Sequence, residues 1–509
     1  MRVTLVAVLV LAGTATPVRA QQPPEAPDKA PPPPEQPELP GPDQQPDPAH
    51  PDSQPEDHDA GPQDNELGPL LQIERIDIDG NTATQPDVIL RVLPIAPGDV
   101  LRASDKRLQT AKFKVLALGF FRDVKLRLEK GSARGQVLLK VSVVERGTIV
   151  LNRLWFGSNS LSPYWLGADL SERNLLGLGI TLGGGFIYAG SADDVAGSRN
   201  QWAAEIRGSS PLRGTRFGAN ASVTLVHGSE EFRTKGTGDP EPGELQAFPY
   251  RRFGGRAGLT YDATALTRVG GSVRLEEIST ELPVAPTQEL PDGQNVGVDL
   301  HLQPGNSRVV TFGFLFDRDT RPDPILSHSG DHLAFGGDVG SAFSDYQFAT
   351  LFGRYEHYWP LRNNRQAIGF KIAGGVVVGD APRFERIHIA DVNRTLTPRA
   401  LGLVLSTAEP LDILGTRRDK PVYGDLGGSV TLEYAIQLFR GSGKNRVYGG
   451  DIFLGVGLWG LAETQDLRSR DVALYDALPI DIYADAGVRI DTDIGIFELT
   501  IANALGRVR

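Results

Sequence analysis

The sequence predicts a mainly β protein: a transmembrane antiparallel β-barrel behind one small soluble domain. Three observations predict it. From about residue 149, short segments alternate apolar and polar side chains and close in turns, as in Arg256-Ala-Gly-Leu-Thr-Tyr-Asp262, Val309-Val-Thr-Phe-Gly-Phe-Leu-Phe316 and Tyr483-Ala-Asp-Ala-Gly-Val-Arg-Ile490. Each is about one tilted membrane crossing long, and no window approaches the apolar run that a helical span requires. The chain also opens like a secretory leader, with Arg2, an apolar stretch from Val3 to Leu11, and Val18-Arg19-Ala20 as a small-residue cleavage site. Strands in lipid must close on themselves to satisfy their backbone groups, so these segments point to a barrel in a bacterial outer membrane of about sixteen strands.

Composition narrows the chemistry. The 509 residues include no cysteine, which excludes a lipoprotein anchor, disulfides, zinc-thiolate sites and a cysteine nucleophile. The 59 glycines sit among β-branched and aromatic residues, as turns and strand bends in a barrel require. The net charge of −11 is a property of one segment. Residues 21–69 hold twelve Asp and Glu against one Lys; with Arg2 and Arg19 gone with the leader, residues 70–509 stand at −2. No basic face argues for a nucleic-acid partner.

Four regions follow in order. Residues 1–20 are the leader. Residues 21–69, densest at Pro31-Pro-Pro-Pro34, are rich in Pro, Asp, Glu and Gln. Such a segment buries too little apolar surface to offset chain entropy and is expected to be disordered, as a solvated spacer or as a tether to a periplasmic partner or the cell wall.

Residues 70–147 read as a β-α-α-β-β domain. Ile76 and Ile78 alternate with charged neighbours, and Gly80-Asn81 turns the chain. Thr84 is expected to cap a first helix with Pro86 in its first turn, and Ser104 a second with Gly119 as its stop. Two alternating strands follow, Val124 to Leu128 and Val137 to Val143.

Residues 148–509 form the barrel region. Fifteen segments begin near Ile149, Tyr164, Gly179, Asn200, Arg216, Arg251, Thr267, Arg308, Gly330, Tyr346, Gln366, Gly427, Gly449, Ile482 and Ile496. Bacterial single-chain barrels have even counts, so a sixteenth strand is sought in 280–306, or the barrel closes unusually. The stretches 229–250, 280–306 and 380–424 suit long extracellular loops.

The order of the small domain is that of a POTRA domain. Leu116-Ala-Leu-Gly-Phe-Phe-Arg-Asp-Val124 resembles that family's helix-to-strand junction, and Val143-Val-Glu-Arg146 its closing strand. One such unit before this barrel resembles the BamA/TamA superfamily of outer-membrane assembly and translocation proteins, over roughly 70–505. Leu170-Ser-Glu-Arg-Asn-Leu-Leu-Gly177 resembles its second barrel strand and turn. Asp319-Thr-Arg321-Pro-Asp-Pro324 followed by Gly330 resembles its mid-barrel signature. Gly427-Gly-Ser-Val-Thr-Leu-Glu-Tyr434, Ala486-Gly-Val-Arg-Ile-Asp-Thr492 and Ile494-Gly-Ile-Phe-Glu498 resemble later strands.

The resemblance implies a loop folded into the lumen, its Arg-Gly-aromatic tip paired with an acid on the inner wall. The matching stretch is Arg399-Ala-Leu-Gly402-Leu, preceded by Arg383-Phe-Glu-Arg-Ile387. The resemblance makes Glu433, whose strand position matches the family's acidic residue, the expected partner of Arg399, and a guanidinium withdrawn from water suits such bidentate pairing. Arg394 is the alternative arginine. Three departures stand out: Ala400 and Leu401 replace the glycine and the aromatic, Gly455 stands where a second wall acid is expected, and the chain stops at Arg509 without a further aromatic-ended strand.

Catalytic motifs are absent. No Gly-x-Ser-x-Gly elbow, phosphate loop or His-Glu-x-x-His occurs, and the eight histidines lack ligand spacing. The reading therefore assigns no catalytic residue, no metal and no cofactor. Trp155, Trp165, Trp202, Trp359 and Trp459 are expected in interfacial girdles. The expected function is assembly or translocation: the front domain and linker in the periplasm, the barrel in the outer-membrane bilayer, and client outer-membrane or secreted polypeptides bound by the POTRA domain. The alternatives are a two-partner-type secretion transporter and a passive pore or structural barrel.

Overall fold

The computed structural model describes residues 69–502, apart from 159–161, 192–194, 213, 237–241, 265, 323–325, 362–364, 397–398, 406–412, 415–421, 441–445 and 466–479. The expected leader (1–20), all of the expected linker but its last residue, and residues 503–509 lie outside the described residues.

The front domain comprises β1 (Leu71–Asp79), α1 (Pro86–Leu90), β2 (Val100–Leu101), α2 (Lys106–Ala117), β3 (Phe121–Lys130) and β4 (Gln136–Glu145). Its sheet runs β2-β1-β4-β3, with β1 parallel to β4 and the other pairs antiparallel. Alternation places Ile73, Val124, Leu139, Val141 and Val143 on the helix-covered face, where they join Ile89, Ala111 and Val115 in one core.

The helix caps differ from expectation. Pro86 holds the residue before it extended, so Gln85 is the N-cap of α1 and makes no side-chain cap bond. Asp105, one residue beyond Ser104, caps α2 by accepting from the Arg107 backbone N–H at 2.8 Å. A carboxylate makes the stronger, charge-assisted cap.

The barrel sheet holds fifteen strands among the described residues. They are β5 (Ile149–Gly157), β6 (Trp165–Leu175), β7 (Ile180–Ala189), β8 (Gln201–Pro211), β9 (Phe217–Arg233), β10 (Leu245–Asp262), β11 (Thr267–Thr280), β14 (Gly305–Asp319), β15 (Gly330–Gly340), β16 (Phe348–Leu361), β17 (Gln366–Gly379), β20 (Leu426–Arg440), β21 (Val447–Ala462), β22 (Ile480–Thr492) and β23 (Gly495–Ala502). The short pairs β12 (Thr287–Glu289) with β13 (Asn295–Gly297), and β18 (Ile387–His388) with β19 (Tyr423–Gly424), belong to loops. The sixteenth strand sought in 280–306 is thus a loop hairpin. Asp292-Gly293 turns it, too short a segment to cross a membrane.

Every barrel strand pairs antiparallel with its neighbour along the chain. The period of two sorts each strand into a lipid face and a lumen face. On β22 the buried residues are Asp481, Tyr483, Asp485, Arg489 and Asp491, while Ile480 and Ile490 face outward. On β21 Leu454, Val456 and Leu458 face outward, and Asp451, Phe453 and Trp459 face in. Trp459 therefore lies inside the barrel, not in a girdle. Trp155 and Trp165 share that interior cluster; Trp359 remains exposed.

The seam between first and last strands is weakly joined. β5 and β23 stand at the two ends of the sheet order, β23 running to Ala502, the last described residue. Among the described residues no register pairs them; one backbone bond, from Leu151 N–H of β5 to Ile494 O in the turn before β23, spans the seam at 2.8 Å.

The front domain is bound to the barrel end from which β5 rises. Glu145, at the end of β4, accepts from the backbone N–H groups of Thr82, Ala83 and Thr84 and from the Thr82 hydroxyl. The loop so held meets the β6–β7 turn: Asn174 Nδ2 donates to Thr84 Oγ1 at 2.9 Å, and Gln85 N–H to Gly177 O at 2.9 Å. Thr84 thus serves this junction instead of a helix cap. Arg146 donates to Asp491 and to Thr492 O at the β22–β23 turn, so both ends of the seam region touch the domain.

Burial alone would raise the Glu145 carboxyl, but the hydrogen bonds from residues 82–84 outweigh it and hold the pKa at about 2. A carboxyl with a folded pKa below its unfolded value contributes stability that is present above the unfolded pKa and lost as pH falls toward the folded one. The protection of amides 82–84 in the detergent-solubilised protein, measured relative to intrinsic exchange, should therefore be flat from pH 7 to about 5 and fall below about 4.5. Glu145→Gln should remove that dependence and expose these amides at neutral pH. Unchanged protection in the variant would contradict the assignment.

Candidate functional site: the lumen loop and the inner wall

The loop between β17 and β20 packs within the barrel. It opens with a single 3-10 turn at Arg383–Glu385, passes through β18 into the short helix α3 (Ile389–Val392), and returns through β19. A reciprocal cap starts α3: His388 Nδ1 accepts from Ala390 N–H, and Asp391 accepts from His388 N–H. Phe384, Ile387, Ile389, Val392, Leu396, Ala400, Leu403 and Leu405 are buried in one cluster with Phe248 and Tyr250 of the wall. The loop therefore carries its own apolar core into the lumen.

Its charged residues reach several strands. Arg383 pairs with Glu230 on β9 at 2.6 Å and lies over the Tyr423 ring at 4.3 Å. Glu385 pairs with Arg274 on β11 at 2.8 Å. Arg394 contacts Asp485 on β22 at 3.2 Å and Glu498 on β23 at 3.7 Å. The last of these links the loop directly to a seam strand.

The predicted Arg399–Glu433 pair does not form. Arg399 is an internal staple of the loop: it makes a bidentate pair with Asp391, eight residues earlier, and donates to Phe384 O at 2.9 Å. The tip beyond it is a tight hairpin. Ala400 and Leu403 exchange both backbone bonds, and Leu401 and Gly402 both have positive φ, at 49° and 87°. Such a turn favours glycine at Gly402, and the side chain there would also crowd Arg252, whose Nη1 lies 3.2 Å from a Cβ.

Glu433 is engaged by the wall itself. Arg489 on β22 grips it with both terminal nitrogens, at 2.8 and 2.5 Å, and Lys371 on β17 lies at 2.6 Å. The Arg489 Nε donates to Glu498 at 2.9 Å, and the guanidinium stacks on Phe453 at 3.8 Å. Asp451 completes the surround at 3.8 Å. All these side chains but Lys371 are at most 4% exposed. Arg489 and Lys371 already occupy both carboxylate oxygens of Glu433, while Arg399 is held by Asp391.

Register explains Gly455. Glu433, Gly455 and Asp485 lie side by side across β20, β21 and β22. A Cβ at residue 455 would sit 1.9 Å from Asp485 Oδ1. The second wall acid is therefore present one strand further on, and the glycine makes room for it. The loop arginine that meets it is Arg394.

The signature Asp319, Arg321 and Gly330 is a structural turn between β14 and β15. Arg321 makes a bidentate pair with Asp319 at 2.9 and 2.7 Å and reaches Glu356 at 2.9 Å. Thr320 exchanges bonds with the Asp331 backbone. Gly330 has φ +86° and lies so close to Thr320 O that a Cβ would stand 2.9 Å away. Lys371, Arg489, Asp485 and Glu498 were missed as site residues, although their inward parity on β17, β22 and β23 was readable.

A β-barrel with a polar, loop-filled lumen and a small β-α-α-β-β domain docked at one end is an outer-membrane protein with a POTRA-type front. Comparison with known proteins carries this further. Residues 71–146 match the POTRA family model, described as a surface antigen variable number repeat. The outer membrane protein assembly factor BamA of Nitratidesulfovibrio vulgaris is 25% identical over 350 residues, which is 65% of this chain and 39% of that protein. The chain thus spans about two-fifths of that relative's length. CdiB from Escherichia coli shares the fold, with TM-score 0.50 and 15% identity over 83% of this chain and 70% of that one. BamA from Haemophilus ducreyi lacking POTRA domains 1–3 gives TM-score 0.44 and 13% identity over 85% and 80% of the two chains. Residues 71–146 are thus a POTRA-family domain, set before a barrel and similar in sequence, over 350 residues, to BamA.

Two outcomes test the wall. Arg489→Ala leaves Glu433 and Glu498 buried without their guanidinium and should cost about 3–5 kcal/mol. It should abolish the heat-resistant folded band on electrophoresis. Arg399→Ala, which removes a partly exposed pair, should cost about 1 kcal/mol or less. Gly455→Ala should destabilise the barrel by about 1–3 kcal/mol through overpacking, and adding Asp485→Gly should recover most of that loss. A neutral Gly455→Ala would contradict the packing described.

Proposed function

We propose that this protein assists the insertion of other polypeptides into the outer membrane. It acts by binding, with the front domain and residues 21–69 on the periplasmic side. The observation that carries the proposal is the pairing of two unfinished sheet edges in one molecule. The front-domain sheet ends in β3, which has a strand on one side only. The barrel sheet ends in β5 and β23, between which, among the described residues, no register forms and one backbone bond, to the turn before β23, spans the gap. An extended client strand adds to β3 by backbone pairing, as exposed sheet edges permit. The seam then parts and offers β5 or β23 as a template in the bilayer. Few bonds need to break, and the client replaces them, so the edge is never left unsatisfied in lipid.

The lumen loop fits this reading better than that of a passive pore. It fills the barrel with an apolar core and four arginines that have acidic partners. Arg394 ties it to Glu498 on the seam strand, which makes loop position and seam closure interdependent.

The chemistry is non-covalent throughout: a client is held by main-chain hydrogen bonds and alternate side-chain pockets. Deleting 71–146 should abolish client assembly while the barrel still reaches the membrane. Full client assembly by the deletion protein would sink the proposal. In planar bilayers the intact protein should conduct weakly, and Arg394→Ala should raise both conductance and the frequency of opening. A large, steady conductance in the unaltered protein would favour the pore reading.

A further inference from the structure

We propose that the groove between α2 and β3 selects extended segments that carry carboxylates on their solvent-facing side. The inference rests on the reading above, that a client strand pairs with β3, and it names the chemistry of that client. The groove has a volume of about 580 Å³. Leu108 of α2 and Val124, Leu126 and Leu128 of β3 form its apolar floor, so every second residue of an added strand meets hydrocarbon. The intervening residues of β3 point to the other face. Of these, Lys125 and Arg127 are exposed, and Lys112 stands exposed on the helix side. No carboxylate lines the groove.

The nearby acids are occupied. Asp123 lies 3.6 Å from Lys125 at the start of the strand, and Glu129 lies 4.0 Å from Lys140 at its end. Lys112 and Arg127 have no ion-pair partner among the described residues. The domain as a whole is a positive island in an acidic chain: residues 70–147 hold fourteen Lys and Arg against nine Asp and Glu, a net +5, where the full chain is −11. On a sheet, directly opposed side chains interact, and like charges there are unfavourable. A strand that alternates apolar residues with Glu or Asp therefore matches both faces of this edge, whereas one alternating with Lys matches only the floor.

The test uses the full chain in detergent and three labelled ten-residue peptides, read by fluorescence anisotropy. One alternates valine and threonine with glutamate, one replaces each glutamate by lysine, and one keeps the glutamates but is interrupted by prolines. The glutamate peptide should bind at least ten-fold tighter than either of the others, and its affinity should fall with salt. The exposed double variant K112E/R127E should keep the thermal unfolding midpoint and reverse the order of the first two peptides. Equal binding of the glutamate and lysine peptides overturns the charge selection while leaving strand addition standing. Equal binding of the proline-interrupted peptide shows charge attraction alone and overturns the proposal. Failure of all three peptides to bind removes the client-edge reading as well.

Discussion

Hydrocarbon does not hydrogen-bond, and that constraint organises this molecule. Every peptide group at membrane depth must find a partner within the sheet, so fifteen described strands follow one another in unbroken antiparallel order. The same constraint makes the single departure conspicuous. Among the described residues no ladder joins β5 to β23, and one backbone bond, from Leu151 to Ile494 in the turn before β23, spans the seam at the end of the barrel that carries the front domain. A bilayer penalises an open edge, so a short seam is a place where another strand is favoured as a substitute.

Inside the barrel the problem is charge. The lumen face of β20 to β23 carries Glu433, Asp451, Asp485 and Glu498, and withdrawing four carboxylates from water is tolerable only with cations among them. Arg489 supplies the wall's own cation, bridging three strands with one planar fork. Arg394 supplies another from the loop. Arg489 is built into β22, while Arg394 leaves if the loop leaves. Arg489, Lys371 and Arg394 set three cations against those four carboxylates with the loop in place, and only two remain without it. That imbalance connects the loop to the two strands beside the seam.

Much of this was legible in the residues. Alternation of polarity located all fifteen strands, mostly to within a few residues, because a half-buried strand must repeat every two positions. The length of 380–424 announced a long loop, and only the resemblance to the BamA/TamA superfamily implied that it turns inward. What could not be read was which charge meets which. Arg399 and Glu433 are suited to each other chemically, yet Asp391 lies on the same loop, eight residues away, and holds the arginine. Thr84 likewise suits a helix cap, but the fixed dihedral of Pro86 moved the cap to Gln85 and left the hydroxyl for Asn174.

The sequence by itself determined the strands, their two faces, the small domain ahead of them and the absence of cysteine chemistry, because those follow from local periodicity and composition. The tertiary structure alone decided the ion pairs, the place of Trp459 inside the wall, the room that Gly455 leaves for Asp485 and the weakness of the seam. Each of these depends on register between strands that are distant in the chain or on a loop returning across the lumen. Distances of that kind are set by how the sheet closes, not by the order of residues along it.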